Sequence, residues 1–252
     1  MLKTEHLFLL LKQYDDLALH HNEDLKQMTL LVINSQKQRM QQIHPNLFNL
    51  ACYTNIKEFF FKNLYSFEKL ELLAQQLRQA LDEKIKLDRW LPNEVLDTIL
   101  NGFKLALLTL ETDSQLARLL IEKNLTVTTT NLLHIIPASQ QQDLRQQQLD
   151  LLSDVSRKMH KFAHSFILRS AFKFAQPTIE QRGFGLINQY INDGLQAMRS
   201  HKKSSHFFKQ LVHQEKLFLN YLNVQQVNHL DLHYDVKLDR IMPLVQHNMD
   251  LC

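Results

Sequence analysis

His160 and His164 lie four residues apart in a segment that also carries Met159, Phe162 and Phe166. On a helix that spacing stacks two imidazoles on one face, where they can converge on one metal ion. A zinc protease needs glutamate directly after the first histidine. This chain has Lys161 there, and its positive charge opposes a second cation. Di-iron bundles need Glu-x-x-His pairs on two helices. The residues three beyond Glu58, Glu68, Glu111 and Glu180 are Phe61, Glu71, Ser114 and Gly183. No metal and no cofactor are expected, and His160 and His164 are the residual candidates.

The other reactive residue types fare no better. His229, Asp231, His233 and Asp235 would share a face on a strand but align only pairwise on a helix, and they read as a solvated charged face. Cys52 sits beside Leu50, Ala51 and Tyr53, where a buried structural thiol is expected. With Cys252 it makes two cysteines, too few for a disulfide framework. A Gly-x-Ser-x-Gly elbow and the glycine-rich phosphate fingerprints are absent. Arg199, His201, Lys202 and Lys203 form the densest basic segment, near an expected helix C-terminus, where cations complement the dipole. The net charge of +3 is dispersed, so nucleic acid is not the expected partner.

The elements that hold these residues are helices. Four glycines and five prolines in 252 residues are too few for the turns of sandwiches or doubly wound sheets. An all-α, single-domain bundle of about eight to ten helices around one elongated core is expected, without substantial sheet. Leu7, Leu10, Leu11 and Tyr14 form the first stripe, and Asn22 caps a second helix through Val32, Ser35 and Arg39. After the His44-Pro45 break, a third helix is expected over 47–65. Ser66 or its neighbour restarts the chain through Leu70, Leu77, Leu81 and Ile85.

Pro92-Asn93 opens the next helix, with Asn93 as its cap and Asp113 or Ser114 restarting or continuing it. Leu125 to Thr130 reads as a loop. One helix from Ser139 to Gln176 should end at Pro177, followed by another over 178–199 whose glycines mark close helix approach. Ser205 opens a further helix through Leu222. Residues 1–223 are expected to form the bundle and 224–252 a helical C-terminal extension, with the strand-like alternation at 229–238 read as helix. The apolar N-terminal run is too short for a secretory leader, and no stretch reaches a membrane span, so the expected location is cytoplasmic.

Phe59-Phe60-Phe61-Lys62-Asn63-Leu64-Tyr65 resembles the signature of the bacterial FFLEELY-motif family. Three further regions, at 34–40, 145–152 and 185–194, are similar to that family's segments, and Gln214-Glu215 stands where it often has Arg-Glu. The resemblance implies an all-helical bacterial cytosolic protein of no assigned activity. Lys62 and Asn63 replace the two acidic residues of the name-giving motif, which puts any carboxylate role there in doubt.

Phe60, Phe61, Leu64 and Phe67 fall on adjoining sides of one helix, so core packing is expected, with Phe59 the residue best placed for an exposed contact. The leading functional expectation is a helical interaction or accessory protein without catalysis, whose surface combines Phe59, Tyr65, Arg39 and Arg145 and whose partner is another protein or a second copy. The alternatives are a bundle enzyme or cofactor binder using His160, His164 and Glu58, and a nucleic-acid accessory factor using Lys202 and Lys203.

Overall fold

The computed structural model describes residues 3–82 and 92–228. Eleven α-helices and no strand occur among them. Helix α1 (Lys3–Asp15) buries Leu7, Leu10, Leu11 and Tyr14, as the stripe predicts. The Asn22 side chain accepts from the Leu25 N–H and starts α2 (Glu23–Ile43). The buried face of α2 includes Val32 and Arg39 but leaves Leu31 exposed.

The expected helix over 47–65 is broken into pieces. Proline at the first position starts α3 (Pro45–Phe48), a 3-10 turn covers Ala51–Tyr53, and α4 (Thr54–Phe59) follows. The aromatic motif then widens into a π-turn over Phe60–Leu64, in which the Tyr65 N–H donates to the Phe60 carbonyl at 2.8 Å. Sequence periodicity misses this because every residue of the segment tolerates helix. Single π-turns concentrate at functional sites.

Ser66 precedes α5 (Phe67–Asp82), and α6 (Asn93–Glu122) runs unbroken through Asp113 and Ser114. Pro92 occupies the cap position expected of Asn93. The loop is shorter than expected, because Thr128 caps an unforeseen helix, α7 (Thr129–Ala138). The expected helix 139–176 is two helices. In α8 (Gln142–His164) the chain stops where Ser165 caps α9 (Phe166–Gln181). Pro177 lies inside α9, and the terminator is Gly183, whose φ of +84° only glycine adopts readily. Helices α10 (Gly185–Arg199) and α11 (Ser204–Asn228) complete the described chain. The boundary expected at 223/224 falls inside α11. The readings of Ile85 and of 229–252, with the His229–Asp235 cluster, lie outside the described residues.

Helix α6 packs on α2 and α8, and α8 also packs on α10 and α11. The apolar interior is two adjoining clusters where one was expected. One gathers α1, α5, α6 and α7, and the other gathers Leu47 to Leu64 with α8 and the start of α11. Met40, Phe61, Leu195 and Leu219 pack against both.

Gly194 marks a close approach of the expected kind. A Cβ there would stand 2.7 Å from Met159 Cε and 3.0 Å from Phe59 Cζ. The end of Met159 can swing aside, and alanine recovers about 1 kcal/mol of helix propensity, so Gly194→Ala should be near neutral. Gly194→Val drives two methyls at the Phe59 ring and should cost about 1–3 kcal/mol. Thermal melts of the two variants check this; a valine variant melting like wild type would refute the tight packing.

Candidate functional site

Four charged side chains stand at apolar-stripe positions of four elements and meet at the seam between the two clusters. Arg39 follows Val32 and Ser35 on α2, Asp113 lies between Leu110 and Leu116 on α6, Arg145 precedes Leu149 on α8, and Glu215 lies between Leu211 and Phe218 on α11. All four are buried. A helix that turns a charge inward must give it partners, since burial of an unpaired charge is costly.

Arg39 and Glu215 form a bidentate pair, Nη1 to Oε1 at 3.0 Å and Nη2 to Oε2 at 2.9 Å. Arg39 Nε donates to Gln36 Oε1 at 2.6 Å, and the guanidinium lies over the Phe218 ring, 4.4 Å from its centroid. His44, at the α3 cap, places Nε2 2.5 Å from Glu215 Oε1. Burial alone would raise the Glu215 carboxyl, but Arg39 and His44 outweigh it and hold the group well below the usual carboxylate range.

The second half of the cluster is looser. Tyr65, delivered by the π-turn, donates its hydroxyl to Asp113 Oδ2 at 2.5 Å. Burial raises Asp113 above its ordinary value, against the pull of Arg145 and the Tyr65 bond. Burial, with Asp113 beside it, also pushes the Tyr65 phenol well up, so it stays protonated. Arg145 is the exception to the pairing rule. Its Nε and Nη2 are buried and have no hydrogen-bond partner. Between Arg39, Tyr65, Asp113, Arg145, Glu215 and the apolar wall of Phe60, Leu64, Leu149 and Leu152 lies a cavity of about 50 Å³.

The sequence-expected surface is therefore an interior. Phe59, Tyr65, Arg39 and Arg145 are only 4%, 7%, 3% and 7% exposed. Tyr65, Arg39 and Arg145 line the cavity, while Phe59 packs on Tyr190 and Gly194 instead of offering an exposed contact. Phe60 and Leu64 are core residues, as expected. Sequence reasoning missed Asp113, read as a possible restart, and His44, read as a break; their signal was a polar side chain in register with an apolar stripe.

The histidine pair is a neighbouring but separate feature. The His160 and His164 rings stand 4.4 Å apart, and His160 Nδ1 lies 2.8 Å from the buried Ser204 hydroxyl. Burial, then His164, lowers the His160 pKa. Among the described residues no third His, Cys, Asp or Glu joins them as a metal-ligand group. Glu58 is on the surface, paired with Lys62 at 3.0 Å. Cys52 is half-buried, less enclosed than expected, beside the fully buried Tyr53.

The sequence model of the family described as "Domain of unknown function (DUF8198)" matches residues 16–229, which includes every side chain of the cluster. The chain belongs to that family. No curated protein and no solved structure matches it. Among the described residues no helix is long and apolar enough to cross a membrane.

Proposed function

We propose that this chain is a helical accessory protein that acts by binding, carries out no reaction of its own, and uses the cavity at the seam as its working site. The observation behind this is Arg145, a buried side chain that lines the cavity and carries two guanidinium nitrogens without a hydrogen-bond partner. Such groups are hydrogen-bonded in folded proteins, by protein, water or ligand. Glu215 is locked by Arg39 and His44, and Tyr65 is locked on Asp113, so neither is poised to exchange protons with a guest. The segments that carry the resemblance to the FFLEELY-motif family supply Arg39, Phe60, Leu64, Tyr65, Arg145 and Glu215. Membership of that family, with its bacterial and cytoplasmic setting, is part of this proposal.

The test is extraction of small molecules from the protein purified from cells. A guest recovered near one per chain, and lost in Arg145→Met, is the expected result. Equal and negligible recovery from both proteins would sink the reading.

A second reading, docking of a protein partner or a second copy, has a specific observation in its favour. Phe166, Ile167 and Phe174 are 75%, 77% and 85% exposed on α9, flanked by Arg169 and Lys173. Phe174→Ser should leave the melting temperature within about 2 °C of wild type, as surface changes do, while weakening any association seen by light scattering. An association unchanged by this substitution counts against that face. Lys202 and Lys203 are exposed in the turn after α10, where they complement the helix dipole, and nothing further favours nucleic acid.

A further inference from the structure

We infer that the groove between α4, α9 and α10 binds a phosphorylated small molecule, its phosphate held between Arg169 and Arg199. This is a second site, separate from the cavity at the seam and independent of it.

Helices α9 and α10 form a hairpin that turns at Gly183. Gln176 Nε2 donates to Asn192 Oδ1 and to Asn188 Oδ1, both at 3.0 Å, and Asn188 Nδ2 donates to Glu180. These pairings run antiparallel, 176 with 192 and 180 with 188. Continued to the open end of the hairpin, the same register sets Arg169 opposite Arg199. Lys173 lies one turn from Arg169 on α9. All three cations line one groove of about 720 Å³, which Asn55 of α4 closes on its third side.

Like charges so placed repel. Among the described residues no carboxylate lines the groove, and none of the three cations enters an ion pair. Arg169 Nε donates to the Ser165 carbonyl at 3.3 Å, a neutral acceptor that leaves the charge unanswered. The acids one turn from lining residues are engaged elsewhere: Glu58 with Lys62, and Glu180 with Asn188. The start of α9 and the end of α10 meet here, so their opposite dipole ends, about half a charge each, cancel. Three whole positive charges remain. Solvated surface cations of this chain look different, since Lys62, Arg78, Arg157 and Lys216 each hold a carboxylate.

Charge and size then select the class. A single carboxylate would answer one cation of three, whereas a phosphate ester carries up to two charges and presents oxygens to donors on both helices. The groove falls within the roughly 300–1,000 Å³ of small-molecule sites, far more than an inorganic ion fills. For the rest of such a molecule it offers the amides of Asn55 and Gln196, which have no hydrogen bond among the described residues, over Phe172 and Leu195.

The experiment uses the full chain at fixed low ionic strength. Thermal melts and calorimetry are run with ribose 5-phosphate, ADP, adenosine, sodium phosphate and a single-stranded oligonucleotide, on wild type, Arg169→Gln and Arg199→Gln. The expected result is saturable binding of ribose 5-phosphate or ADP at one site per chain, with no response to adenosine. The tighter of the two esters tells a sugar phosphate from a nucleotide. Each variant should bind that ester about tenfold more weakly or worse, having lost a charge-assisted contact. Without added ester both variants should melt within about 2 °C of wild type or above it, because the substitution relieves repulsion. A variant that melts well below wild type would mark that arginine as structural and overturn the assignment. An equal ester response in all three proteins would overturn the site. Sodium phosphate binding as tightly as the esters would mean an adventitious ion only. An oligonucleotide binding more tightly than either ester would replace the small molecule with nucleic acid, and no response to either ester would remove the inference.

Discussion

Glu215→Gln is expected to lower the melting temperature by about 10 °C. The neutral amide would leave the Arg39 guanidinium buried without its counter-charge, and breaking one side of a buried ion pair costs about 3–5 kcal/mol. In a chain of this length each kcal/mol shifts the midpoint by about 2–4 °C. Removing both partners with apolar residues, as in Arg39→Met with Glu215→Leu, should recover much of the loss, because the stranded charge is then gone.

The same residue sets an acid limb of stability. Its carboxyl is held below the ordinary value of 4.5, so the unfolded chain binds the proton more tightly. Stability from Glu215 is full above pH 4.5 and is lost as pH falls through the folded value. Asp113 works with the opposite sign. Its pKa is raised above 3.8, so its folded form gains relative stability in acid and loses it as pH rises through the folded value. Urea unfolding of wild type and Glu215→Gln between about pH 3 and 7 separates the two. A variant that keeps the full acid limb of wild type would rule out Glu215 as its source.

Phe60→Ala should cost about 3–5 kcal/mol, the usual penalty for truncating a buried phenylalanine. Its ring packs against Phe48, Phe61 and Phe208, with centroids 6.4, 5.1 and 6.1 Å away. Such a loss is a large share of the roughly 5–15 kcal/mol that holds a domain folded. Phe59→Ala should fall in the same class, because Phe59 closes on Tyr190 and Gly194. Both melting temperatures should drop together. A Phe59→Ala chain that melts like wild type would restore Phe59 as an outward contact.

The architecture was legible because helix periodicity recurs along the chain: the stripes of α1, α2, α6 and α11 are mostly apolar at the spacing the helices bury. Breaks were harder. Pro177 carries a strong stop signal in sequence, yet α9 passes through it and ends at Gly183, where left-handed geometry turns the chain. The cavity was half legible. Arg39, Tyr65 and Arg145 were singled out, but as a surface, since a charged side chain defaults to solvent unless a partner far along the chain is known. The partner of Arg39 lies 176 residues away at Glu215, a pairing no local pattern reveals.

The π-turn carries a consequence for sequence drift within this segment. A wide turn of this kind holds one residue more than an α-helical turn over nearly the same rise, so it shifts the phase of everything after it by about 100°. Deleting Lys62, which is exposed and pairs with Glu58 on the surface, would let the backbone relax to ordinary helix with its hydrogen bonds intact. Tyr65 would then follow Phe60 by one ordinary α-helical turn, and its ring would keep its direction toward Asp113. Homologous segments one residue shorter should therefore be able to keep both the bundle and the phenol at the seam, whereas straightening the turn at full length would rotate Tyr65 away from Asp113 by about 100°.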